Sequence, residues 1–160
     1  MPSGSLVPGF AGLLAADRVI PVLPAFAKDA ALLALARHAA DVLGHPALLI
    51  HERLRTREAL GATGFGGGAA IPHARLPGLT ACVAIVARLP QPIDWGAVDG
   101  ELVDALVLLL SPESAGAEHL KALARISRTL RDPATLPALR AAHDADAMLA
   151  VLGGDIAVAA

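Results

Sequence analysis

Between Lys28 and Leu43 the apolar residues Leu32, Leu33, Leu35, Ala36, Ala39, Val42 and Leu43 return at three- and four-residue intervals. That spacing predicts one face of a helix, and Gly44 supplies its stop. Pro46 is expected to open a second helix reaching about Leu60. Its apolar face (Leu48, Leu49, Leu54, Leu60) is patchy, its far end turns polar at Arg53, Arg55, Arg57 and Glu58, and Gly61 follows. Further on the pattern changes. Thr80–Leu89 and Val103–Leu110 are short, nearly continuous apolar runs rich in β-formers, and they read as buried strands. Pro90-Gln91-Pro92 and Asp99-Gly100 mark turns between them, and Ser111-Pro112 is expected to terminate the second. Val19–Leu23 reads as a short edge strand, because Pro21 cannot donate to a ladder. Helical spacing resumes at Ala117–Leu130, with Leu120, Leu123, Ala124, Ser127 and Leu130 on one side and Ser114 or Ser111-Pro112-Glu113 as a candidate cap. Pro133–Ala142 and Ala145–Leu152 read as two short final helices.

Strands clustered mid-chain between helices predict a single-domain α/β sandwich around a small mixed sheet. Residues 1–14 read as an N-terminal tail, 15–153 as the domain and 154–160 as a C-terminal tail. At 160 residues the chain is one domain long, able to bury roughly 70% of its unfolded surface without a disulfide or metal staple.

Composition narrows the function. The chain is 55% hydrophobic, but 36 of its residues are alanine, so the apolar score overstates its large side chains. Aromatic residues are few (Trp95, Phe10, Phe26, Phe65, no Tyr), which argues against stacking platforms for single-stranded nucleic acid. A net charge of −2 supplies no footprint for nucleic acid or an acidic membrane. The longest apolar stretches fall short of the ~20 residues a spanning helix needs. The uncharged first 16 residues are broken by Pro2, Gly4, Pro8 and Gly9 with no basic residue ahead of them, so no signal peptide is expected. The single cysteine, Cys82, allows no disulfide framework and is expected to be a buried, inert thiol in a reducing compartment. The expected location is the cytoplasm.

The least ordinary segment carries five glycines in the eight residues Gly61–Gly68 and runs on to Ile71-Pro72-His73-Ala74-Arg75. Gly64-Phe65-Gly66-Gly67-Gly68-Ala69 fits G-x-G-x-x-[GA] literally, yet a dinucleotide fingerprint follows a strand and opens a helix. Here a helix precedes it and Ile71-Pro72 blocks one after it. No Lys-[ST] ends it as in a Walker A loop. Two readings of the glycines stay open: a tight turn needing positive φ, or backbone N–H groups bared for a phosphoryl group. His51-Glu52 lacks the second histidine of a zincin, since residue 55 is Arg. The six histidines have no metal-ligand spacing, and no G-x-S-x-G elbow supports serine hydrolysis.

His73 differs from the other histidines. Pro72 fixes its backbone and Arg75 lies two residues on. A neutral imidazole with one nitrogen pinned by a backbone acceptor offers the other as a nucleophile that can take a phosphoryl group and pass it on. Arginine forks suit the oxygens of such a group.

The string Thr56-Arg57-Glu58 … Thr63-Gly64-Phe65-Gly66-Gly67-Gly68-Ala69-Ala70-Ile71-Pro72-His73 resembles the signature of the enzyme IIA (EIIA) domain of the bacterial phosphotransferase system, fructose/mannitol/nitrogen-regulatory class. The likeness continues through Ile93-Asp94-Trp95, Val103-Asp104 and Glu118-His119-Leu120, and spans about residues 15–153. Two departures are Gly67-Gly68 where Asn-Gly is common, and Ala74 where glycine often follows the histidine. The resemblance implies the same α/β sandwich and no metal or organic cofactor. It implies His73 as the phosphorylated residue on Nε2, His119 as a second histidine stabilising the phosphoryl group, and Arg57 as a charge partner. Thr63, Gly66, Gly67, Gly68, Ala69, Ile71 and Arg75 would shape the pocket. The donor would be phosphorylated HPr or a nitrogen-related HPr-like carrier. In the nitrogen-regulatory branch the output is phosphorylation-dependent binding to a sensor kinase or potassium transport system. In the sugar-transport branch it is transfer to an EIIB. A non-catalytic interaction module keeping the fold is the third reading.

Overall fold

The computed structural model describes residues 10–153. Two turns of 3-10 helix, Ala11–Leu13 and Ala16–Arg18, lead into β1 (Val19–Ile20), α1 (Lys28–Leu43) and α2 (Ala47–Ala59). Then come β2 (Gly64–Gly66), β3 (Ala69–Ala70), β4 (His73–Leu76), β5 (Val83–Ile93) and β6 (Val103–Pro112). Helices α3 (Ala117–Arg131), α4 (Thr135–Ala141) and α5 (Ala145–Gly153) complete the chain. The sheet is mixed and six-stranded, ordered β1-β5-β6-β3-β2, with β4 also on β6. β5 runs antiparallel to β6, while β3 and β4 run parallel to it one after the other along the same side.

Alternation along β6 divides the core in two. Leu106, Leu108 and Leu110 meet Leu32, Leu35 and Ala36 of α1 and Ile50 and Leu54 of α2. Ala105, Val107 and Leu109 meet Ala122, Ile126 and Leu130 of α3, with Leu139 and Met148 behind them. A strand buried on both faces reads as a continuous apolar run for this reason, and the layers make the expected α/β sandwich.

The helix boundaries follow local chemistry. α1 stops where Gly44 turns left-handed (φ 74°) and returns its N–H to the Ala40 carbonyl. Pro46 stands at the cap position of α2, so the helix starts at Ala47, one residue later than expected. Gly67-Gly68 forms the two-residue turn of the β2–β3 hairpin, with φ of 64° and 87°, the positive values that such hairpins need. Gly64 has a second reason: a Cβ there would stand 2.6 Å from the Ala97 Cβ.

Several boundaries differ from expectation: β1 stops at Ile20 rather than Leu23, β5 starts at Val83 rather than Thr80, and α4 starts at Thr135 rather than Pro133. β5 passes through Pro90 and Pro92 to Ile93, because the register shifts between Arg88 and Ile93 and the prolines sit in the bulge, where ladder N–H groups are not required. β6 passes Ser111 to Pro112, which lies opposite Leu76 of β4. The neighbouring N–H, that of Glu113, bonds the Leu76 carbonyl at 3.2 Å. Gly116 holds the cap position of α3 with no side-chain bond, so neither Ser114 nor Ser111 caps it. The buried face of α3 also lies one position off the expected stripe. His119, Ala122, Ile126, Thr129 and Leu130 face inward, while Leu120 is 65% exposed. Cys82 is half-buried rather than enclosed. No helix among the described residues is long and apolar enough to cross a membrane.

Candidate functional site

Pairing of β3 with β2 ends at Ala70. Pro72 then interrupts the edge, and β4 starts at His73 with β6 on one side and, among the described residues, no strand on the other. This open edge lies between the two helical layers. α2 brings Arg53, Thr56 and Arg57 from one layer, and α3 brings His119 from the other. Together with Leu60, His73, Ala74 and Arg75 they line a cleft of about 330 Å³.

The two nitrogens of His73 have different partners. Nδ1 lies 2.8 Å from the Ile71 carbonyl and donates to it, and that fixes Nε2 as the unprotonated nitrogen. Arg57 Nε donates to Nε2 at 3.1 Å, and its Nη1 holds the Gly61 carbonyl at 2.9 Å. Burial pushes the His73 pKa below its ordinary value, against the upward pull of the Ile71 bond. The Arg57 charge lowers it further and the Glu58 charge raises it. The imidazole is therefore mostly neutral at pH 7, the protonation state in which Nε2 is nucleophilic.

His119 is 6% exposed. Its ring lies 5.5 Å from that of His73, tilted by 50°. Burial first, then the Arg75 and His73 charges, pushes its pKa down to about 4. The guanidinium of Arg53 is tied to the Arg75 carbonyl at 3.0 Å and to Glu113 at 2.9 Å. Two neutral imidazoles thus share a cleft with three arginines and no acidic lining residue, an environment suited to an anion.

The remaining candidates lie outside that lining. Ile71 serves through its carbonyl. Thr63 is buried behind α2, where its N–H and hydroxyl both donate to Glu58 and its Oγ1 accepts from Trp95 Nε1 at 3.3 Å. Gly66, Gly67, Gly68 and Ala69 do not line the cleft. The Gly67 N–H is taken by Asp99 at 3.1 Å, the Gly67 carbonyl by Arg140 at 2.8 Å, and the Gly68 carbonyl by the N–H of Asp104 at 3.0 Å. Of the two sequence readings of these glycines, the positive-φ turn is the one observed.

Sequence reasoning placed neither Glu58 nor Ser111 at the site, and read Ser111 only as a strand end and candidate helix cap. The Glu58 carboxylate is 7% exposed and pairs with Lys28 at 2.7 Å, anchoring the end of α2 that carries Arg57. Ser111 Oγ lies 2.7 Å from His119 Nδ1. Glu58 could have been suspected from its place beside Arg57; a serine near a strand end carries no such signal. A larger cleft of about 860 Å³, lined in part by Cys82, Glu118, Lys121 and Arg125, contains none of the candidate residues. No group of three or more metal-ligating side chains occurs among the described residues.

Comparison with known proteins gives a consistent answer. Residues 13–153 match the model of the family "Phosphoenolpyruvate-dependent sugar phosphotransferase system, EIIA 2". A nitrogen regulatory protein of Bradyrhizobium diazoefficiens is 47% identical over 148 residues, covering 92% of this chain and 97% of that protein. An Escherichia coli PTS EIIABC component specific for 2-O-alpha-mannosyl-D-glycerate is 35% identical over 103 residues, covering 63% of this chain and 16% of that protein. The crystal structure of the nitrogen regulatory protein IIA-Ntr from Neisseria meningitidis superposes with a TM-score of 0.84 at 26% identity, covering 89% of this chain and 98% of that one.

Proposed function

Because the chain belongs to the EIIA 2 family of the phosphoenolpyruvate-dependent sugar phosphotransferase system, we propose that it is a phosphoryl carrier whose acceptor atom is Nε2 of His73. The unequal commitment of the two ring nitrogens carries this reading: Nδ1–H is held by the Ile71 carbonyl, and Nε2 opens toward the cleft. The Nε2 lone pair attacks phosphorus, the bond from phosphorus to the donor's imidazole breaks, and the donor keeps that electron pair. Positive charge that develops on the His73 ring is stabilised at Nδ1–H by the Ile71 carbonyl. Arg57 leaves Nε2 for the phosphoryl oxygens, where its fork matches their geometry. Arg75 and His119 face the same oxygens. No proton transfer is needed.

The donor is a protein, a phosphorylated HPr-like carrier. Apolar side chains stand exposed in the cleft lining and beside it in the chain: Leu60 in the lining at 81% and Leu120, which follows His119, at 65%. Such residues suit a protein face better than a small sugar. The output is regulatory, through binding that depends on phosphorylation in the cytoplasm, with a sensor kinase or potassium transport system as the class of target. The extent of the likeness to nitrogen regulatory proteins favours this branch. The likeness to an EIIABC component supports a second reading, in which the chain passes phosphate to an EIIB.

The test is incubation with phosphoenolpyruvate and the general phosphotransferase proteins, followed by mass spectrometry. A single acid-labile phosphoryl group is expected on His73 and none on the His73→Ala chain. An unlabelled wild-type chain, or full labelling of His73→Ala, would overturn the assignment. Sugar phosphate formed on adding an EIIB and its sugar would select the transport branch.

A further inference from the structure

His119 is neutral in the cleft, so it carries one N–H, and which nitrogen holds that hydrogen decides what the ring offers to its neighbour. Its Nδ1 lies 2.7 Å from Oγ of Ser111. Ser111 is fully buried and sits opposite Arg75 in the β4–β6 ladder. The same Oγ accepts from the Cys82 thiol at 3.4 Å. Nε2 of His119 has no hydrogen-bond partner among the described residues.

A hydroxyl has one hydrogen to give. If the imidazole donated to Ser111, that buried hydrogen would be left with the Cys82 sulfur, a weak acceptor. If the thiol donates to Oγ, the hydrogen goes to the imidazole nitrogen, a good acceptor, and every group in the chain is satisfied. We propose that Ser111 is a positioning residue whose hydroxyl donates to Nδ1 of His119 and fixes that ring as the Nε2–H tautomer. The inference rests on the carrier reading of His73 and goes one residue deeper. In this tautomer His119 presents an N–H toward a phosphoryl group on His73. In the other tautomer the Nε2 atoms of both rings would present lone pairs, and the His119 ring would repel the phosphoryl oxygens. β6 thereby sets the hydrogen-bonding sense of a side chain on α3, and Cys82 on the adjacent β5 approach orients the hydroxyl.

Long-range ¹H–¹⁵N NMR of the uniformly labelled full chain reads the tautomer directly. The wild type is expected to show His119 with Nε2 protonated and Nδ1 unprotonated, and Ser111→Thr, which keeps the hydroxyl, to show the same. In Ser111→Ala the tautomer preference is lost, and single-turnover transfer from the phosphorylated carrier slows on the order of 10-fold, the low end of what removing a group that orients a ligating imidazole costs. In a His119→Ala background Ser111→Ala should cost nothing further, whereas a merely structural role would still slow transfer. A wild-type His119 protonated on Nδ1, or a Ser111→Ala chain with wild-type tautomer and rate, overturns the proposal. A wild type that accepts no phosphoryl group would count against the carrier reading instead, and the NMR spectrum would still decide the tautomer.

Discussion

At the scale of single residues, the proposed chemistry depends on two imidazoles held neutral by burial. Their positions were legible in the sequence only in part. Pro72-His73 after the glycine run marks the proposed acceptor. Arg57 and His119 gain meaning from the family pattern, because their own neighbourhoods look like ordinary helix surface. Ser111 read only as a strand end or helix cap, since its contact with His119 depends on a side chain eight residues on being folded back against it. Two outcomes follow at this scale. His119→Ala should keep the fold and slow phosphoryl acceptance by about 10²-fold, the scale of losing one stabilising donor, and stopped-flow transfer at the wild-type rate would remove His119 from the site. The second concerns pH. The folded chain holds the His119 pKa down to about 4, whereas the unfolded chain titrates near 6.5. Between those values the unfolded state binds the proton that the folded state refuses, so this group's contribution is complete above about pH 6.5 and is lost as pH falls toward 4. Urea midpoints at pH 7 and pH 4.5 should therefore fall further apart in the wild type than in His119→Gln. Equal separations would contradict the assigned burial.

At the scale of elements, hydrophobic spacing located α1, α2 and the two long strands, and Gly44 marked the end of α1. It failed where tertiary contact outranked the local signal. Pro90 and Pro92 looked like a turn but occupy a bulge in β5. The inward stripe of α3 is set by Ala122, Ile126 and Leu130 in the core, and it carries His119, which spacing alone assigns to the surface, onto a buried partner in Ser111. The end of α2 is held by a polar network rather than by apolar packing. Glu58 joins Lys28 at 2.7 Å and both donors of Thr63, while Lys28 also bonds the Trp95 carbonyl at 3.0 Å and lies 5.2 Å from the Trp95 ring centroid. The Lys28 ammonium is 29% exposed and stays solvated without its partner, so removing the carboxylate strands chiefly the two donors of buried Thr63. Glu58→Ala should cost about 2 kcal/mol, read as a lower urea midpoint at unchanged slope. It should also weaken transfer through Arg57, one residue away. A loss below about 0.5 kcal/mol, the range of ordinary surface substitutions, would show that the pair is not structural.

At the scale of the whole molecule, the cleft exists only where both helical layers meet the open edge of the sheet. The α/β sandwich and its mixed sheet were legible from the order of elements, but the edge was not. It arises because β3 and β4 share one side of β6 and the pairing with β2 stops before His73. Far from this edge, Arg88 of β5 binds the assembly together. It donates to the Pro21 carbonyl at 3.1 Å and to the Leu139 and Ala142 carbonyls at 3.1 and 2.6 Å, joining the segment after β1 to the C-terminal end of α4. Arg88→Met should destabilise the chain by about 2 kcal/mol, the scale of losing charged hydrogen bonds to part-buried carbonyls. Under native conditions it should leave the transfer rate unchanged. A slowed rate in a folded Arg88→Met chain would mean that the two ends of the sheet are coupled.

The central claim concerns one atom, and ³¹P–¹⁵N coupling in the phosphorylated, ¹⁵N-labelled chain tests it most directly. The phosphoryl group should be bonded to Nε2 of His73, with Nδ1 still protonated. A phosphoryl group on Nδ1, or on any other side chain, would contradict it.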